Sequence, residues 1–306
     1  MKTHRWPLSS AAQLTELYNH QTAHIPACYP LSPHAFQQGI HTPPTPTYPY
    51  KTLQLEADQL IIGETNGKIT AFVHIATLHK ETISGQTSRI GLIRFLTYPS
   101  NQRSLGQALL TEAENYCRKL KLKQIEAFSP ASYPFYCLNS RSLSSKMGHV
   151  LALLGLNGYQ ITPKYFFMGR QLTAENSSNP TLPNPSLHIT VAPIQTESKW
   201  PNLQLRLWHH TNPVGLCNTA SVGTFCQADS AQDHAYTTWI KVEPQARNQG
   251  LARYLLQKNC FELHKIGYQF LYADVRCTNY QAQMLHLQAG YHLLDTKYEA
   301  LKELTP

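Results

Sequence analysis

Hydrophobic positions along this chain come in short runs that change period, and the changes mark the elements. Leu14, Leu17 and Tyr18 lie at helical spacing behind Ser9 and Ser10, two residues suited to cap a helix start. From Gln59 to Ala76 two apolar runs flank Asn66-Gly67, the strongest short signal for a β-hairpin. A third run, Ile90 to Tyr98, predicts another strand. From Gly106 to Leu122, Leu109, Ala113, Tyr116 or Cys117, and Leu120 recur every three or four positions and predict an amphipathic helix. A short strand over 124–128 follows, then a serine-rich stretch. A second helix pattern surrounds Val150 to Leu156, with Gly158 placed for a left-handed C-cap.

Residues 172–186 are polar and proline-rich, with no periodicity, and predict a linker. After them the order recurs. Runs at 203–208, 216–222 and 236–242 predict strands. The helix pattern from Gly250 to Ile266 carries Leu251, Leu255, Leu256, Cys260 and Leu263 and stops at Gly267. A strand over 270–275 precedes a helix over 280–288, capped by Thr278 or Asn279 and stopped by Gly290. Strands alternate with helices late in each half, so each half needs a parallel strand pair. The fold expected is α/β, with a mixed sheet in each of two tandem domains: 1–171, the linker 172–186, and 187–306, the second with a shortened N-terminal helical region.

The recurrence is in register. Arg103, Gly106 and Ala108 stand 144 positions before Arg247, Gly250 and Ala252. The register holds into the next strand, then breaks. Gly158-Tyr159 answers Gly290-Tyr291 at a separation of 132, so the first copy carries twelve more residues between its last strand and helix. An R-x-x-G-x-A stretch between a strand and a helix has a definite chemistry. Glycine admits close backbone approach, the first helical N–H groups lack partners, and the helix dipole adds partial positive charge. Together these make a phosphate site that needs no metal.

The second copy resembles the GCN5-related N-acetyltransferase (GNAT) family. The stretch Trp239-Ile240-Lys241-Val242-Glu243-Pro244-Gln245-Ala246-Arg247-Asn248-Gln249-Gly250-Leu251-Ala252 looks like that family's fourth strand and pyrophosphate loop, and Asn279 to Tyr291 looks like its second cofactor segment, N-x-x-A-x-x-L-Y-x-x-x-G-F. The resemblance is strong over residues 235–295 and moderate over 55–170. It implies two tandem GNAT-like acyl-CoA N-acyltransferase domains. It also implies acetyl-CoA as cofactor and direct transfer of an acetyl group to a primary amine of a small molecule or peptide. Under it, the backbone of Ile240, Lys241 and Val242 holds the pantetheine arm. Arg247, Asn248, Gln249, Gly250, Leu251, Ala252 and Arg253 hold the pyrophosphate, and Asn279 faces the pantetheine or acyl end. By the same register Arg103, Ser104, Leu105, Gly106, Gln107 and Ala108 form a second candidate cofactor loop.

Departures from the family pattern carry information. Where the family often has a tyrosine as general acid, this chain has His286, which is either a proton donor or a helix histidine with a packing role. The first copy has Leu154 there, Met147 in place of Asn279, and one more residue between Pro99 and Arg103. Its N-terminal residues, including the segment CYPLSPHAF, would build the acceptor wall. The second copy has only about fifteen residues before its first hairpin strand. Glu243 and Glu126 are candidate bases. The arrangement is similar to mycothiol synthase-type tandem members, in which one domain often lacks activity. The rival reading is a non-catalytic CoA-binding sensor or scaffold.

Composition narrows the field further. A length of 306 residues suits two domains. The net charge of +8 attracts anions, but the basic residues are dispersed, so no nucleic-acid interface is expected. Seven cysteines, an odd number without C-x-x-C, suit free thiols in a reducing cytoplasm. No stretch has the length of a membrane span. Gly63 to Lys68 is one residue short of a Walker loop and precedes no helix. The pairs His20/His24 and His209/His210, the latter read as adjacent strand residues of opposite facing, are not taken as metal ligands.

Overall fold

Asn66 and Gly67 both take positive φ, 52° and 74°, and reverse the chain between two long antiparallel strands. The protein is described here from a computed structural model, over residues 2–5, 11–46 and 49–304. The caps expected at Ser9 and Ser10 lie outside the described residues. The chain divides into two compact units, residues 1–164 with 297–306, and residues 165–296.

The first unit opens with β1 (Lys2–Arg5), α1 (Ala11–Thr22) and α2 (Pro33–His41). Ser32 caps α2 by accepting from the Ala35 N–H at 3.1 Å, and Pro33 stands in the first turn, where its missing N–H costs nothing. β1 pairs with β2 (Tyr50–Thr65), β2 with β3 (Lys68–Thr82) and β3 with β4 (Thr87–Thr97), all antiparallel. Helix α3 (Arg103–Lys119) then crosses to β5 (Gln124–Ala127), which runs parallel to β4. β6 (Leu143–Ser144), α4 (Gly148–Leu156) and the start of β7 (Gln160–Gln171) complete the first half. One face of this sheet carries an aromatic cluster in which Phe95 contacts Tyr18, Phe72, Phe128, Tyr133 and Tyr136 at ring distances of 5.3–5.7 Å.

The second unit takes the end of β7 and adds β8 (Leu187–Ile194), β9 (Asn202–His209), β10 (Asn212–Ser221), the short α5 (Asp229–Gln232) and β11 (His234–Val242). It continues through α6 (Leu251–Ile266), β12 (Phe270–Arg276), α7 (Tyr280–Gln288) and the start of β13 (His292–Glu303). Its strand order is β7-β12-β11-β10-β9-β8, and only β11 and β12 are parallel. Leu203, Leu205 and Leu207 alternate inward along β9 and pack with Leu251, Leu255, Leu256 and Leu263 of α6.

The division differs from 1–171 and 187–306 at both ends. The last part of β7 pairs with β12, from Gln171 opposite Phe270 to Tyr165 opposite Arg276, inside the second unit. The last part of β13 pairs with β5, from Ala300 opposite Ala127 to Glu303 opposite Gln124, inside the first. The final strands of the two halves are thus exchanged. Residues 172–186 contain no helix or strand, but they are packed: Leu172 and Ser177 are buried, and Leu172 N–H donates to Gln269 O at 2.8 Å. Within the first unit Lys302 binds Glu114 at 2.7 Å and Ala300 is fully buried. Among the described residues no helix is long and apolar enough to cross a membrane.

The exchange has a measurable consequence. A chain ending at Thr296 loses four ladder pairs on β5, on the order of 3–4 kcal/mol at about 1 kcal/mol per hydrogen bond. Far-UV circular dichroism in urea should then show an early transition. Tryptophan fluorescence of a Trp6→Phe background, which reports Trp200, Trp208 and Trp239 in the second unit, should shift less. Coincident, unshifted transitions would contradict the exchange.

Candidate functional site

The two R-x-x-G-x-A stretches fold differently. In the second unit β11 ends at Val242 and a single 3-10 turn, Pro244–Ala246, follows. Arg247 is extended, its Nε donating to Val242 O at 3.1 Å, which ties the loop to the strand end. Asn248 takes φ 62° and Gly250 φ 76°, and α6 begins at Leu251. The first amide bonded to a carbonyl one turn back is that of Tyr254, to Gly250 O at 3.0 Å, so the amides of Leu251, Ala252 and Arg253 head the helix. A Cβ built on Gly250 meets nothing within 4 Å. Arg247, Asn248, Gln249, Gly250 and Arg253 are all exposed. This is an open, positively polarised cradle.

In the first unit the helix starts one turn earlier in the motif. Arg103 is already the first residue of α3, and the Gly106 N–H donates to Gln102 O within its first turns. Gly106 is buried, and a Cβ there would lie 2.6 Å from the Tyr98 ring. Leu105 packs against Gly63, and Gln107 exchanges two amide hydrogen bonds with Asn157 at 2.8 and 2.9 Å. Ala108 is a half-buried helix residue and Ser104 an exposed one. At Arg103–Ala108, the second candidate cofactor loop, the chain forms a packed helical turn. The extra residue between Pro99 and Arg103 accompanies the change, and Gly106 serves close packing rather than ligand approach.

Both units place a β-bulge before the motif. Arg94 is the extra residue on β4 and Thr238 on β11, again 144 positions apart. Parallel pairing also stops early in both. The last ladder pairs are Ile93 with Ala127 and Thr237 with Ala273. Beyond them in the second unit, β11 runs on from Thr238 to Val242 away from β12. The resulting crevice lies at the carboxyl ends of parallel strands, where α/β sheets hold ligands. Ile240 and Lys241 lie along it, whereas Val242 O already accepts from Arg247. In the first unit the same region is filled: Phe95 is 0% exposed, while its counterpart Trp239 is 51% exposed. Phe128, Tyr133 and Tyr136, from the β5 end and the extra segment, cover Phe95.

Asn279 caps α7, its Oδ1 accepting from the Ala282 N–H at 3.1 Å, with the residue exposed beside the crevice strand β12. His286, expected either as a proton donor or as a helix histidine with a packing role, lies in the core. It is 3% exposed, edge-on to Tyr291 at 4.9 Å, and its Nδ1 bonds Ala282 O at 2.8 Å. Burial lowers its pKa below the ordinary 6.5, so the ring is neutral at pH 7 and its Nε2 carries no proton to give. Leu154, at the same place in the first copy, is fully buried; the position faces the core in both units.

Neither glutamate is placed as a free base. Glu126 is buried against Lys80, and Glu243 pairs with Lys241 at 2.9 Å. A carboxylate not singled out from the sequence is better placed. Leu271, Ala273 and Val275 face the core, so Asp274 faces the opposite side, one residue past the end of the parallel ladder. Its Oδ2 accepts from the Tyr236 hydroxyl at 3.0 Å. The alternation in LYADVR held this signal, since it puts a carboxylate on the sheet face opposite three core residues, near a strand end. His209 and His210 do not face opposite ways as expected: His210 turns the chain at φ 54°, and their rings lie 4.5 Å apart. Among the described residues no cluster of three or more His, Cys, Asp or Glu is placed to hold a metal.

Two units, each with a bulged, diverging parallel strand pair followed by a helix, define a tandem acyl-CoA N-acyltransferase fold. The acetyltransferase (GNAT) family model matches residues 176–291, and the second unit is a domain of that family. The fold is similar to that of a tandem GNAT protein from the clavulanic acid biosynthesis pathway, with TM-score 0.69, 12% identity and coverage of 100% of this chain and 99% of that one. A GCN5-related N-acetyltransferase from Sphaerobacter thermophilus gives 0.61 at 14% identity, covering 100% and 96%. A glucosamine N-acetyltransferase region of a fungal multi-domain β-N-acetylglucosaminidase gives 0.67 at 11%, covering 98% of this chain and 38% of that one. No curated protein matches the sequence.

Two measurements separate the glycines and settle the histidine. Gly106→Ala should destabilise the protein in urea by about 1–3 kcal/mol through overpacking against Tyr98. Gly250→Ala, strained only in φ, should cost about 1–2 kcal/mol. His286 binds its proton less tightly when folded, so its contribution is present above pH 6.5 and is lost as pH falls below that value. His286→Leu should therefore flatten the acid limb of the stability profile between pH 6.5 and the lowered native pKa, and an unchanged limb would contradict the burial.

Proposed function

We propose that this protein is an acetyl-CoA-dependent N-acetyltransferase whose second unit holds the cofactor and whose acceptor is a primary amine of a small molecule or peptide. The observation that carries this reading is the open left-handed Gly250 cradle beside the diverging strands β11 and β12. The residues fit the group. The amides of Leu251, Ala252 and Arg253 and the side chains of Arg247 and Arg253 offer donors and charge to a pyrophosphate. The free edge of β11 at Ile240 and Lys241 offers backbone partners to an amide-bearing arm. When bound, acetyl-CoA supplies a thioester-activated acetyl group.

The chain's own work is to orient and deprotonate the acceptor. An alkylamine of pKa near 10.4 costs about 4–5 kcal/mol to deprotonate at pH 7. Asp274, held by Tyr236 on the side away from α6, is our candidate for accepting or relaying that proton. No side chain has to protonate a departing thiolate at great cost, because a thiol of pKa near 8.5 holds its proton at pH 7 by only about 2 kcal/mol. Burial of His286 therefore leaves the reading intact. All seven cysteines are free, which suits the cytoplasm. One observation favours the rival, a non-catalytic CoA-binding module: the second unit has no acceptor-side helices before β8, and Trp239 is left exposed.

Calorimetry with acetyl-CoA should show one site, lost in Gly250→Trp and retained in Gly106→Ala; binding unaffected by Gly250→Trp would refute the cradle. Free-thiol release with an amine panel should occur, and Asp274→Asn should lower it roughly 10²–10⁴-fold without weakening cofactor binding. Binding without release across the panel would leave the sensor reading standing.

A further inference from the structure

The bulge residue of β4 presents a problem of charge. Arg94 is 1% exposed, and its guanidinium lies over the Tyr133 ring at 5.1 Å. Nη1 donates to Ile40 O, but among the described residues Nε and Nη2 have no hydrogen-bond partner. Those two nitrogens share one edge of the planar fork, the edge that grips a carboxylate with two parallel bonds. A buried guanidinium left with that edge empty is costly, and a bound anion would relieve it.

The surroundings say which anion. Arg94 forms part of the wall of a cavity of about 320 Å³, together with Ile40, His41, Pro43 and Asp58. A neighbouring hollow of about 470 Å³ shares Ile40, His41 and Asp58 and adds His74. His74 Nε2 meets Asp58 at 3.0 Å, and its Nδ1 meets the Tyr133 hydroxyl at 2.9 Å. Burial pushes the His74 pKa down to about 4, so the ring is neutral and does not cancel the charge of Asp58. The hydrogen bond from His74, with Arg94 and His41 nearby, keeps the Asp58 carboxyl below its ordinary pKa and ionised. The cavity is therefore lined by a residue whose buried guanidinium has an unpaired edge and by a residue whose carboxylate is ionised. A phosphate would meet Asp58 and the wall residue Glu56 as like charges. Ligand cavities run from about 300 to 1,000 Å³, and this one is at the small end.

We propose that the first unit binds a free α-amino acid, its carboxylate on the Nε and Nη2 edge of Arg94 and its ammonium toward Asp58. The residues of this site all belong to the first unit, and the site does not depend on a cofactor being held in the second. It gives the first unit, whose own cofactor turn is closed, a ligand of its own.

A thermal-shift screen of the full-length protein against the standard amino acids at about 10 mM, followed by calorimetry on the best, tests the site. At least one should bind. Acetate and methylamine, each with half of the zwitterion, should bind far more weakly. Arg94→Lys and Asp58→Asn should each weaken binding roughly 10- to 100-fold, the range for losing hydrogen bonds to a charged group. Gly250→Trp, in the other unit, should leave it unchanged. Arg94 stands in the core, so if Arg94→Lys does not fold, Asp58→Asn on a half-exposed side chain decides alone. The proposal is overturned if no amino acid binds. It is equally overturned if acetate binds as tightly as the amino acid, if Asp58→Asn has no effect, or if Gly250→Trp abolishes binding.

Discussion

Backbone groups freed where two parallel strands part must find partners, and the rest of each unit follows from how they do so. Pairing between β4 and β5 ends at Ile93 and Ala127. There the chain satisfies itself: the Phe128 N–H donates to Ile93 O at 3.0 Å, and the extra segment after β5 folds its aromatic side chains over Phe95. Pairing between β11 and β12 ends at Thr237 and Ala273, and no such segment follows, because β12 leads directly to α7. Twelve residues, present in one copy and missing from the other, thus separate a filled crevice from an open one.

The same contrast governs the two glycines. A motif that shares its arginine, glycine and alanine at 103–108 and 247–252 gives a helical turn in one place and a left-handed loop in the other. Local sequence sets only a preference there. The Tyr98 ring seated against Gly106 and the Gln107–Asn157 amide pair hold α3 in its longer form. Over Gly250 nothing is packed, and the loop keeps its opening.

Much of the order of elements was legible from periodicity and punctuation. The hairpin at Asn66-Gly67, the helices stopped at Gly158, Gly267 and Gly290, and the strands flanking α3 and α6 all announce themselves locally, and all three stop glycines take positive φ. The sequence alone did not show β8 or the pairing of β7 and β13, whose partners are set by contacts far along the chain; β13, HLLDTKYEALKE, has no clean alternation. At the site, the Gly250 loop was readable because its chemistry is backbone chemistry concentrated in six residues. The two readings of His286 stayed open because residue type does not show the face it occupies, although Leu154 in the matching place is a core residue type. Asp274 was legible in principle through alternation within β12, but its meaning depends on where the parallel ladder ends, which only the fold shows.

The exchanged final strands bear on how the chain comes to be folded at all. Residues 297–303 complete the sheet of the first unit, yet they emerge from the ribosome after the whole second unit has been made. During synthesis the β5 edge must stay unpaired for the time taken to add the intervening residues, an interval of order ten seconds at about 5–20 residues per second. An open sheet edge with buried-type residues such as Ile125 and Ala127 is a sticky intermediate over that interval. The half that is made first is the half that finishes last, since every residue of the second unit is available before the first unit's sheet can be completed.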